Sequence, residues 1–161
     1  MRDEEFERIY AAHAESLYAF LVYRTGDRAL AEDLLADAFE RALRSRFRFD
    51  RRKASAKTWL YSIALNCMRD SARRSGAERR AVERAGAGGP EAPPGGLEQV
   101  ERRDLVARAL STLSEEEREA VALRFGGDLT LPEMAKLTGE RLTTVEGRLY
   151  RALRKLRTEL V

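Results

Sequence analysis

The chain has 161 residues, room for one medium domain or two small ones, and is 43% hydrophobic, 35% charged and only 7% aromatic. Its net charge of +3 and its richness in Arg, Ala, Leu and Glu over β-branched residues suit helices better than sheets. No apolar run is long enough for a membrane span, MRDEEFERIY is no secretory signal, and lone Cys67 and His13 leave no internal disulfide and almost nothing for zinc, so a cytoplasmic protein without membrane insertion is expected.

Phe6, Ile9, Tyr10, His13, Leu17, Phe20 and Leu21 recur at helical spacing, and Gly26 stands as a stop. Asp27 can cap a second helix whose apolar stripe is Leu30, Leu34, Leu35, Ala38, Phe39 and Leu43. Its other face is acidic, with Glu32, Asp33, Asp37 and Glu40. An aperiodic basic stretch from Ser45 to Ser55 reads as a loop. A third helix is predicted over about Ala56–Arg74, with Trp59, Leu60, Ile63, Ala64 and Cys67 inward. These helices make a first domain, residues 1–75.

Residues 76–96, centred on GAGGPEAPPGG, cannot bury enough surface to offset chain entropy and read as a flexible linker. The domains on either side are expected to move independently. In the second domain, residues 97–161, Leu97, Val100, Leu105, Ala109, Leu110 and Leu113 keep helical spacing. Ser114 and Glu117 form a capping-box pattern ahead of Ala120, Val121, Leu123 and Phe125, and Gly126-Gly127 ends that helix. A short helix over about Thr130–Thr138, a turn at Gly139 and a basic helix over about Thr143–Thr158 compose a helix-turn-helix. The fold class is all-α, two small helical domains with the helix-turn-helix in the second.

Charge is segregated along the chain. Residues 1–40 hold ten acids against four Arg, whereas residues 41–57 hold eight bases against Asp50 alone. Residues 143–161 hold five bases against two acids. Basic clusters of this density meet phosphate favourably through counterion release. In SRFRFDRRKASAKTW the cations alternate with Phe47, Phe49 and Trp59, a pattern suited to a single strand, with aromatic faces for unpaired bases. The plainer alternative makes the aromatics core and the Arg solvated, and for Trp59, on the apolar face, that alternative is favoured. Val145, Leu149, Ala152 and Leu153, with Leu137, are placed inward in the helix-turn-helix. Thr143, Thr144, Arg148, Arg151, Arg154 and Lys155 are placed toward a duplex, whose major groove distinguishes all four base pairs. The acidic face of the second helix is either solvated or a dock for a basic partner. His13 and Cys67 are read as packing residues. No catalytic triad, P-loop or dinucleotide fingerprint occurs, so neither an enzyme nor a cofactor is expected.

AEDLLADAF, TWLYSIALN and the terminal helix-turn-helix, in that order and spacing, resemble the extracytoplasmic-function sigma factors, which keep only regions 2 and 4 of the primary sigma factors. The resemblance covers nearly the whole chain apart from the linker. It implies a transcription initiation factor whose partners are core RNA polymerase (its β and β′ subunits), promoter DNA and an anti-sigma factor. By position, it implies that Glu32, Asp33, Leu34, Asp37, Phe39 and Glu40 dock on the polymerase. It assigns Arg48, Arg51, Arg52, Lys53, Ser55, Lys57, Trp59, Asn66, Arg69 and Arg73 to the minus-ten element, where a flipped base is captured. It assigns Arg141, Thr143, Thr144, Glu146, Arg148, Tyr150 and Arg151 to the minus-thirty-five element.

Three departures stand out. Glu146 replaces the family's usual Lys or Arg, Gly147 its usual Ser, and Glu140-Arg141 its usual apolar residue and Ser. An acid in a recognition helix repels phosphate, though it can accept from a cytosine amino group. Minus-thirty-five recognition is therefore expected to be weak, altered in sequence or assisted by another protein. Two other classes remain open from the residues: a duplex-binding regulator that ignores polymerase, and a degenerate sigma-like interaction protein.

Overall fold

The structure, a computed structural model, describes residues 1–83 and 97–160, and of residues 77–83 and Arg103 only the backbone. The described residues form helices α1 (Asp3–Thr25), α2 (Arg28–Arg44), α3 (Ala56–Glu83), α4 (Leu97–Ser111), α5 (Glu115–Val121), α6 (Leu131–Thr138) and α7 (Leu142–Leu160). A 3-10 turn spans Arg46–Arg48, and a π-helical turn, Ala122–Gly126, continues α5. No strand occurs among the described residues.

Short-range chemistry sets most helix ends. Gly26 adopts φ 70°, a left-handed conformation that penalises any residue with a Cβ, and its N–H closes α1 on the Val22 carbonyl. Asp27 caps α2, its carboxylate accepting from the Leu30 N–H at 3.1 Å. Ser114 with Glu117, and Thr130 with Glu133, form complete capping boxes. The α3 boundary differs from expectation, since the helix runs to Glu83 rather than stopping near Arg74. Ala, Arg and Glu after Gly76 favour helix, and one interior glycine costs only about 1 kcal/mol. The Gly/Pro-rich part of the expected linker, residues 84–96, lies outside the described residues.

Helices α1, α2 and α3 bury Leu17, Phe20, Leu21, Ala38, Leu60 and Ala64 between them. Arg41 ties α2 to α3, reaching Asp37 at 3.2 Å and Asp70 at 2.9 Å. Cys67 is buried, and that burial pushes its thiol up to about 12, so it stays an unreactive packing group. His13 is half-buried as expected, and desolvation, with Lys57 adding to it, holds its pKa below the ordinary value. In the C-terminal half, Ala120, Val121, Met134, Val145, Leu149 and Ala152 are buried. Five residues placed on inward stripes face solvent instead: Tyr10, Leu43, Leu97, Leu105 and Phe125.

The two halves are in contact. One continuous core includes Phe20 and Tyr61 from the first half and Leu123 and Leu129 from the second. Gly126 and Gly127, read from the sequence as a helix stop, make that approach feasible. A Cβ on Gly126 would lie 2.8 Å from the Tyr23 ring and 2.9 Å from the Phe20 Cα, and one on Gly127 would lie 2.9 Å from the Tyr61 ring. Two bare backbones therefore meet where side chains would hold the halves apart.

Candidate nucleic-acid interface

The basic segment between α2 and α3 is an ordered turn rather than a loose loop. The Asp50 carboxylate accepts from the Arg52 N–H at 2.9 Å, and the Asp50 carbonyl accepts from the N–H groups of Lys53 at 3.1 Å and Ala54 at 3.3 Å. Ser55 caps the start of α3, accepting from the Thr58 N–H at 3.1 Å. Held this way, Arg48, Arg51, Arg52, Lys53 and Ser55 are all exposed. Arg51 pairs with Glu5 of α1. Beside the turn is a cleft of about 310 Å³ lined by Glu5, Ile9, Phe49, Arg51, Ala54, Ser55 and Ala56.

The three aromatics divide. Trp59 is half-buried against Phe49, with ring centroids 4.9 Å apart, in line with the packing alternative. Phe47 is 73% exposed, with the Arg46 guanidinium 4.3 Å from its ring centroid. Of the cluster's aromatics, Phe47 has the most open face. On α3, Asn66, Arg69 and Arg73 lie three and four residues apart on one exposed face. Arg73 pairs with Asp70 at 2.7 Å. Lys57 differs from the other cations. It is half-buried, its ammonium donating to the Asp128 carbonyl at 3.1 Å and lying 3.6 Å from Glu133.

The acids of α2 also divide. Glu32, Asp33 and Glu40 are exposed, with Glu40 accepting from Arg44 at 2.5 Å, whereas Asp37 is half-buried and engaged with Arg41. Leu34 and Phe39 are buried, and the Phe39 ring packs against Tyr10 at 4.5 Å and Phe6 at 6.3 Å. These two position the acidic helix from beneath and present no surface of their own.

The helix-turn-helix is α6, a turn at Gly139 (φ 72°) and α7. Arg141, Thr143, Thr144, Tyr150 and Arg151 are exposed along one end and side of α7, and Glu146 is half-exposed. Arg148 was placed toward a duplex, yet both its terminal nitrogens donate to Glu140, each at 2.6 Å. That bidentate pair raises the Arg148 pKa and lowers that of Glu140. Lys155 is similarly engaged, donating to buried Glu117 at 2.7 Å. Sequence reasoning missed Glu133, Glu140 and Glu117 as partners of Lys57, Arg148 and Lys155, because an acid beyond the next helical turn carries no local signal of which base it will meet.

No described helix is long and apolar enough to cross a membrane, and no group of three or more His, Cys, Asp or Glu could hold a metal ion among the described residues.

Two family models match in order. Residues 9–78 match Sigma-70 region 2, and residues 103–156 match Sigma-70, region 4. The chain is 31% identical over 154 residues to the ECF RNA polymerase sigma factor SigL of Mycobacterium tuberculosis, covering 94% of this chain and 86% of that one. It is 31% identical over 157 residues to the ECF RNA polymerase sigma factor BldN of Streptomyces coelicolor, covering 95% of this chain but spanning only 59% of that relative's length. Among solved structures, the sigma factor RpoE from Bartonella quintana, crystallised with the anti-sigma factor NepR, superposes with a TM-score of 0.80 at 24% identity, covering 98% of this chain and 97% of that one.

Proposed function

Since the chain belongs to the extracytoplasmic-function sigma factors, we propose that it divides their task between its two halves, polymerase and minus-ten binding in residues 1–75 and minus-thirty-five binding in residues 97–161. It directs bacterial core RNA polymerase to specific promoters and aids their melting. The observation that carries this is the pair of region matches, 2 then 4, in one chain. A duplex-only regulator would have no use for the first of them.

In this reading Glu32, Asp33 and Glu40 dock on the polymerase while Leu34 and Phe39 hold their helix in place. Arg48, Arg51, Arg52 and Lys53, with Asn66, Arg69 and Arg73, hold the minus-ten element. The cleft beside Phe49 and Ser55 receives an unpaired base. Extruding a base costs a few kcal/mol of stacking and pairing, which the fitted pocket offsets, so melting requires binding energy rather than ATP. The chain carries no catalysis of its own, works in the cytoplasm, and is held in check by an anti-sigma partner, as RpoE was crystallised with NepR.

Run-off transcription with purified core polymerase tests the assignment: specific transcripts are expected, and duplex binding without transcripts would overturn it. In the second half, Glu146→Lys removes an acid from the recognition helix and adds a cation. One added phosphate contact steepens the salt dependence by about 0.9 in log–log slope and tightens binding up to about tenfold near 0.1 M salt. Anisotropy titrations on promoter duplex across a salt series read both quantities. An unchanged slope would mean that this face of α7 does not meet DNA.

A further inference from the structure

The usual reasons for an acid on a basic helix fail for Glu146. The helix dipole favours acids in the first turn, and Glu146 lies beyond the first turn of α7. A cation three or four positions away would pair with it along the helix, but those positions hold Leu142, Thr143, Leu149 and Tyr150. Glu117, Glu133 and Glu140 each meet a Lys or Arg from another segment. Among the described residues Glu146 meets none.

Its surroundings suit close approach by a ligand. Glu146 is half-exposed, and Thr143 and Tyr150, a turn before and after it, are exposed. The next residue, Gly147, presents bare backbone, and a Cβ there would find Arg151 Nη1 at 3.4 Å. Arg141, Arg151 and Arg154 are exposed along the same helix, available to phosphates. A base edge can thus reach the carboxylate while these cations hold the DNA backbone.

An ionised carboxylate only accepts, so the major groove offers it two partners, the amino groups of adenine and of cytosine. The adenine amino group is flanked by acceptors on both sides, its own N7 and the O4 of thymine. The cytosine amino group has an acceptor on one side only, the O6 of guanine, with the apolar C5 edge on the other. Two carboxylate oxygens therefore meet less repulsion at cytosine. We propose that Glu146 is a specificity-determining residue that selects a C·G pair in the minus-thirty-five element by accepting from the cytosine amino group, with Gly147 providing the clearance. The proposal rests on the assignment of α7 to that element. At this position the chain gives up attraction for phosphate and gains selectivity, because other pairs leave the desolvated carboxylate without a suitable donor.

The test uses the full chain assembled with core polymerase, and duplex promoters with a randomised window at each element, sequenced after selection for binding. Wild type should enrich a C·G pair about tenfold over other pairs at one position of the upstream window. Glu146→Gln should move that preference to A·T, since an amide pairs with adenine N6 and N7, and Glu146→Ala should abolish it at that position alone. A role in stability alone would not exchange one base for another. If the downstream window is enriched but the upstream one selects no cytosine, or if Glu146→Ala keeps the preference, the proposal falls and the sigma-factor reading stands. Enrichment in neither window overturns both. Should Glu146→Ala lose helical circular dichroism, Glu146→Gln decides alone, and an unmoved preference for cytosine overturns the proposal.

Discussion

Phe20→Ala is expected to destabilise the protein by about 3–5 kcal/mol, a large share of the roughly 5–15 kcal/mol that holds a typical domain. Phe20 is fully buried, its ring centroid is 5.7 Å from that of Tyr61, and its backbone supports the glycine turn of the other half. Truncation therefore leaves a cavity at the point where both halves meet, lined by groups that cannot all collapse inward. Urea denaturation followed by circular dichroism measures the change. Phe47→Ala is the control: that ring is 73% exposed, and its loss should move stability by less than about 0.5 kcal/mol. A cost below about 1.5 kcal/mol for Phe20→Ala would mean that Phe20 does not sit in a shared core.

The second large effect is electrostatic. Replacing Arg51, Arg52 and Lys53 together by Gln should weaken single-stranded promoter binding up to about 100-fold near 0.1 M salt, since each phosphate contact contributes about 0.7 in log–log salt slope. The slope itself should fall by about 2. All three cations are exposed, and the turn that presents them is held by the Asp50 carboxylate and carbonyl, so their removal leaves the local backbone intact. Arg51 contributes least of the three, because Glu5 already competes for it. Polymerase co-elution should be unaffected, because the docking acids lie on α2. An unchanged salt slope would place the single strand elsewhere on the molecule.

The legible features share one physical trait: they depend on neighbours within about four positions. Helix periodicity, Asp27 as a cap, the Ser114–Glu117 capping box, Gly26 as a stop and Gly139 as a turn all act through backbone groups a turn away. The basic turn was legible as a charge cluster, though not as an ordered one, because the hydrogen bonds of Asp50 depend on a turn conformation that many sequences share. Trp59 against Phe49 followed from the apolar face of α3, whereas the exposure of Phe47 did not follow from any pattern. Arg148 shows the opposite failure. Its spacing put it on the duplex side of α7, and only the folded turn brought Glu140 within 2.6 Å of it.

By itself, then, the order of residues determined the all-α class, nearly every helix end, the helix-turn-helix and the family, since each is written in local spacing and local charge. Tertiary structure alone decided which cations remain free, as Lys57, Arg148 and Lys155 each meet an acid from another segment. It also decided that the halves share a core, because a pair of glycines looks the same in sequence whether it ends a helix or admits a neighbour. Long-range pairing depends on where distant segments arrive, and no local window of sequence contains that.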